Sequence, residues 1–194
     1  MLAAATALGA APAAKKPSRR SAADVAAANA GTLAHLFDGL PAPATPWDTI
    51  VFHHSATAGG SKKRFDAGHA KKFGDPDGME YHFLIGSGVG TEDGLIEVGD
   101  RWPRQIIAWH LFTRARDAGS IAVCVVGNFE LPGVRPTPAQ RAAATALARA
   151  LAARYAIPSD RVIMHRSIDG RLTQCPGKNF PLAALRAAIF APLP

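Results

Sequence analysis

Apolar and polar positions alternate most clearly from Asp48 to His54, where Ile50, Phe52 and His54 interleave with Val51 and His53. A period of two is that of a strand, with the two sets on opposite faces. Met79 to Ile85 repeats the pattern, with Tyr81, Phe83 and Ile85 on one face. Ser120 to Gly127 holds the unbroken apolar run Ile121 to Val126, which predicts a central strand covered on both sides. Leu95–Val98, Ile106–His110 and Arg161–Met164 read as shorter strands.

Helical stretches separate these runs. Ser21 to Leu40 begins with a capping Ser21 and an acidic Asp24 in the first turn, and Gly31 weakens it. Ser61 to Phe73 carries Lys62, Lys63, Lys71 and Lys72, with Phe65 and His69 four apart on one side. His69 there reads as a surface or partly packed histidine. Thr137-Pro138-Ala139-Gln140 has the capping-box spacing, with Pro at the first helical position. It opens a long Ala- and Leu-rich helix that Ile157-Pro158 ends. A last helix runs from Asn179 or Phe180 to Phe190.

The alternation of strands and helices predicts an α/β fold: a single domain with a central mixed sheet of about five to six strands flanked by helices. An N-terminal helical extension precedes it. The Pro41-Ala42-Pro43-Ala44-Thr45-Pro46 run stops the first helix as a semi-rigid spacer. The expected divisions are 1–20, a signal-like or disordered basic tail; 21–46, helix and linker; and 47–194, the main domain. Gly86 to Gly94 reads as a hairpin turn, because no Gly-Lys-Ser/Thr follows it as a phosphate loop would need.

The net charge of +7 is unevenly spread. Lys15, Lys16, Arg19 and Arg20 carry four of the positive charges, leaving +3 for the rest. No groove-reading motif accompanies the basic pI, so nucleic acid is not the expected partner. A mildly basic surface suits an anionic cell wall. Residues 1–14 are Ala-rich and end in Ala-Pro-Ala-Ala, like a secretory signal that lacks a basic start, or a low-complexity tail. The reading leans to export, to a secreted, periplasmic or wall-associated monomer. No apolar run nears the roughly 20 residues of a membrane-spanning helix.

Chemistry concentrates late in the chain. His165 and Cys175 stand ten apart, and Pro176-Gly177 follows. These ligand types suit tetrahedral Zn²⁺, and a third is available where the first strand ends, in His53-His54. Periodicity alone does not choose between those two histidines. Three protein ligands leave one position for water, the arrangement of catalytic zinc. Cys124 reads as a buried packing residue, so the two cysteines say little about redox compartment.

Four blocks then fall in order: Ile50-Val51-Phe52-His53-His54-Ser55-Ala56-Thr57; Tyr81-His82-Phe83-Leu84-Ile85; Ser120 through Gly127-Asn128-Phe129; and His165 through Thr173-Gln174-Cys175-Pro176-Gly177. Together they resemble the zinc-dependent N-acetylmuramoyl-L-alanine amidases of type 2, the family of the phage lysozyme-amidases and peptidoglycan recognition proteins. The resemblance runs from Trp47 to about Phe190. It implies His53, His165 and Cys175 as ligands of one zinc ion, with Tyr81 and Thr173 in catalysis. It implies peptidoglycan contacts from His54, Trp109, His110 and Asn128. Glu80 stands where the family favours Gly, and the His165-to-Cys175 interval is two residues longer than usual.

The resemblance implies a zinc hydrolase that cleaves the amide between N-acetylmuramic acid and L-alanine. A non-catalytic peptidoglycan-binding module is the competing reading. Such modules commonly lose the cysteine ligand, and here all three ligands are present. A zinc peptidase is disfavoured, because no His-Glu-x-x-His occurs.

Overall fold

The computed structural model describes residues 20–192. The signal-like stretch proposed from sequence lies almost wholly outside them. Five strands form one sheet: β1 (Thr49–His54), β2 (Phe83–Ile85), β3 (Ile96–Val98), β4 (Ser120–Val125) and β5 (Val162–Met164). Their order is β3-β2-β4-β1-β5. β1 runs parallel to both β4 and β5, β2 runs parallel to β4, and only β3 is antiparallel. The sheet is therefore mixed, and its strand count falls within the sequence expectation. The longest strands, β1 and β4, are central, and every residue of β4 is buried.

Register separates the two faces. Ile50 pairs with Ile121, and Val123 pairs with both Phe52 and Phe83, so these side chains share one face. That face meets α4 (Pro138–Tyr155) and α6 (Leu182–Phe190) through Ala144, Leu147, Leu151, Leu185 and Ile189. Each fully buried Leu or Ile there is worth roughly 1.5–3 kcal/mol of transfer free energy. His53 pairs with Cys124 on the opposite face, where Leu84 also lies. A smaller apolar cluster of Met79, Leu84, Cys124 and Val126, flanked by Phe65 and Tyr81, covers that side.

Both predicted helix caps form, and each is a full capping box. Ser21 with Asp24 closes the start of α1 (Ala22–Ala34), and Thr137 with Gln140 closes the start of α4. α1 ends at Ala34, short of the expected Leu40, yet it runs through Gly31. It docks on the sheet edge, where the Asn29 side chain donates to Gly94 O and accepts from Ile96 N–H. α2 (Lys62–Phe73) stops at Gly74 in the left-handed conformation.

Two strand expectations fail for one reason: side chains take the backbone groups that a ladder needs. Met79 N–H donates to Asp66 Oδ1 and Glu80 N–H to His69 Nδ1, so the second strand begins only at Phe83. Ile106–His110 forms no strand. Ile106 O and Ile107 O accept from the side chains of His82 and Arg101, and His110 N–H donates to Asp117.

Candidate metal centre

β1 carries His53 to its C-terminal end with the imidazole on the face opposite α4, as the alternation requires. β5 ends at Met164, and His165 follows as the N-cap of the short α5 (Arg166–Asp169). A 3₁₀ turn (Gly170–Leu172) returns the chain to Cys175. One ligand atom from each of His53, His165 and Cys175 lies within 4.8 Å of the others, and all three residues are buried. Cys175 Sγ is 3.6 Å from His53 Nδ1.

The hydrogen bonds behind the imidazoles assign their tautomers. Ser120 Oγ lies 2.9 Å from Arg116 O and 3.1 Å from Asp117 O, so its single proton is directed at carbonyls. It must then accept from His110 Nε2, 2.8 Å away. That leaves His110 Nδ1 to accept from His53 Nε2–H at 2.8 Å. His53 Nδ1 keeps a bare lone pair toward the sulfur. Burial, with the neighbouring imidazoles, holds His53 and His110 well below the usual histidine range, so both are neutral. His165 donates through Nε2 to Asp169 Oδ2 at 2.8 Å, which leaves Nδ1 as its free ring nitrogen.

Cys175 is held as a sulfur acceptor. Its Sγ receives His54 N–H at 3.3 Å, and its own N–H donates to Thr173 Oγ1 at 3.1 Å. Without a cation, burial pushes the thiol up to about 12, only partly opposed by the His54 amide. Gly177 is required beside it, because a Cβ there would sit 2.3 Å from the backbone of Phe129 and Glu130, and its φ is 102°. Two bare imidazole nitrogens and an amide-supported sulfur make a donor set that fits Zn²⁺.

The other predicted residues are placed as follows. The Tyr81 ring lies 5.3 Å from that of His53, between it and His69. Burial raises its phenol well above the usual tyrosine value, so it stays protonated. His54 is half-buried, and its Nδ1 accepts from Phe129 N–H. His110 is buried behind His53, with both ring nitrogens taken, rather than lining an open groove. Trp109 is 40% exposed, and the Arg114 guanidinium lies 5.3 Å from its ring centroid. Asn128 accepts from Glu130 N–H in a turn and lines a cavity of about 360 Å³ with Thr57, Ser87 and Arg135. Cys124 is fully buried, as expected.

Sequence reasoning missed Asp169 and Ser120. Asp169 was signalled by its i, i+4 spacing from His165, one helical turn. Ser120 carried no signal, because a hydroxyl at the start of a strand has many other uses.

A mixed α/β sheet thus brings His53, His165 and Cys175 together as a cluster that could hold a metal ion. The model of the family described as N-acetylmuramoyl-L-alanine amidase matches residues 43–178, and the chain belongs to that family. Among solved structures it is similar to the endolysin N-acetylmuramoyl-L-alanine amidase LysCS from Clostridium intestinale URNW. Identity to it is 29% and the TM-score 0.61, with 74% of this chain and 83% of that chain covered. The fold also matches the Drosophila peptidoglycan recognition protein SD, at 22% identity and TM-score 0.57, covering 75% and 83% of the two chains. Drosophila PGRP-LB, solved as a point mutant in complex with tracheal cytotoxin, gives 20% identity and TM-score 0.57 over 78% and 89%. No curated protein sequence matches significantly. Among the described residues, no helix is long and apolar enough to cross a membrane.

Proposed function

We propose that the chain is a zinc-dependent N-acetylmuramoyl-L-alanine amidase that acts on peptidoglycan outside the cytoplasm, as a monomer. The observation that carries this reading is the convergence of His53, His165 and Cys175 on one point, each with a free donor atom. Bound zinc supplies Lewis acidity toward an amide carbonyl and a water of lowered pKa. The chain's own residues do the rest. Tyr81, protonated and beside His53, donates a hydrogen bond to the oxygen of the scissile carbonyl as charge develops there. Thr173 Oγ1 accepts from Cys175 N–H, which leaves its hydroxyl proton to orient water or that same oxygen. His54 steadies the sulfur through its amide, and its half-buried ring lies 6.1 Å from that of the buried Phe129. Trp109 offers an apolar wall to sugar or peptide, and Asn128 polar contacts to the stem peptide.

Digestion of cell wall with wild type and Cys175→Ala, alongside metal analysis, tests the proposal. The expected result is new amino-terminal L-alanine, released only by the zinc-containing wild type. Zinc with wall binding but no release would replace the amidase with a recognition module.

A further inference from the structure

The segment between His165 and Cys175 does more than bridge its ends. It folds into α5 and a 3₁₀ turn, and the single helical turn carries Asp169 back over the His165 ring. The Asp169 side chain is fully buried, and every acceptor direction it uses is accounted for. Oδ2 takes His165 Nε2–H at 2.8 Å and Phe112 N–H at 2.8 Å; Oδ1 takes Thr113 N–H at 2.9 Å and Thr113 Oγ1–H at 2.5 Å. Three of those four donors come from one distant two-residue segment. Phe112 itself is 61% exposed, and its ring lies 5.7 Å from that of His165, tilted by 32°. A large exposed aromatic therefore stands against a metal ligand, and the carboxylate that orients the ligand also fixes the aromatic's backbone.

We infer that Asp169 is a positioning residue that couples His165 to the Phe112–Thr113 segment, so that metal loading and the placement of Phe112 as an apolar recognition wall are set together. The inference rests on the reading of His53, His165 and Cys175 as a zinc centre. Charge argues for a carboxylate rather than an amide at 169. Zn²⁺ with two neutral imidazoles and one thiolate leaves one uncompensated positive charge in a buried site, and the Asp169 carboxylate cancels it. Phe112 takes no part in the core: it lies outside both apolar clusters. An aromatic face beside the metal suits the apolar face of a sugar ring or an acetyl or methyl group of the substrate.

The test compares zinc dissociation constants, by chelator competition, for wild type, Asp169→Asn and Thr113→Val. Amide hydrogen exchange at residues 111–113, with and without zinc, completes it. Asp169→Asn keeps the side-chain shape and should weaken zinc about 10–100-fold. Thr113→Val removes only the hydroxyl donor, leaves the fold least disturbed, and should weaken zinc by a smaller factor in the same direction. In wild type, zinc should slow exchange at the Phe112 and Thr113 amides, and Asp169→Asn should lose that slowing. Phe112→Ala should raise KM for wall fragments with little change in kcat and none in zinc affinity. A wild type that binds no zinc overturns the metal reading and this inference with it. A wild type that binds zinc, with Asp169→Asn within twofold of it and exchange at 112–113 indifferent to zinc, overturns the coupling alone.

Discussion

The two histidines proposed as ligands are held from behind by different chemistry. His53 rests on a neutral relay, His110 and then Ser120, that ends on backbone carbonyls of the turn before β4. His165 rests on an anion, Asp169, whose oxygens are held by backbone amides and one hydroxyl. The first support lies under the centre of the sheet. The second lies on loops at its margin and reaches an exposed aromatic. A neutral relay fixes a tautomer without adding charge; an anionic one also offsets the charge of a bound cation. On the proposed reading, one arm answers to folding and the other to metal and substrate.

The largest difference between the arms is expected at the proposed ligands themselves. His53→Ala and His165→Ala should each abolish zinc retention and amidase activity, but only the first should also lower the stability of the metal-free protein strongly. It opens a cavity beneath the sheet and leaves His110 Nδ1 unpaired, a loss of about 2–4 kcal/mol. Urea unfolding in the presence of chelator measures this. Equal losses for the two variants would remove the distinction between the arms.

Acid should act on the central arm next. His82 is fully buried beside it, accepting from Ala122 N–H and donating to Ile106 O, and burial lowers it from 6.5 to about 4. The unfolded chain then binds more protons than the folded one between about pH 6.5 and 4, so stability is full above 6.5 and falls as the pH drops through that window. The shift corresponds to about 3 kcal/mol. His53 and His110 are lowered too and act in the same sense. Asp117, raised to about 6 by burial, acts oppositely between 6 and 3.8, because its folded form holds the extra proton. His82→Gln isolates one contribution: the slope of stability against pH across the window should fall by about one proton. An unchanged slope would mean that the imidazole is not held neutral.

Sequence pattern carried the fold, and the family resemblance named the His53, His165 and Cys175 triplet that the fold brings together, but neither named the supports. Ile50, Phe52 and His53 declare a strand and its two faces, and Thr137 with Gln140 declares a helix start, because each obeys a local rule that the structure keeps. The strand expected at Ile106–His110 looked equally good. It fails because its carbonyls serve His82 and Arg101, residues whose positions no local rule supplies. The groove role expected of His110 met the same obstacle. A histidine beside an exposed Trp109 gives no sign that its ring turns inward to meet a strand 57 residues away in sequence. Asp169 lay in plain view four residues from a ligand, yet its three donors from Phe112 and Thr113 come from 56 and 57 residues away.

The smallest effect is the sharpest test of the neutral arm. Ser120→Ala removes the acceptor of His110 Nε2–H and leaves that donor buried, at a cost of about 1–3 kcal/mol in stability. Another acceptor, Asp117 Oδ1, is 3.7 Å away and already receives the amides of His110 and Leu111. A shift of His110 toward it would strengthen a contact with a carboxylate and turn a neutral relay partly anionic. The expected outcome is therefore a clear loss of stability with less than about tenfold loss of zinc affinity, the reverse of the balance at Asp169. If Ser120→Ala weakens zinc as much as Asp169→Asn while leaving stability untouched, the two arms do the same work and the division between them fails.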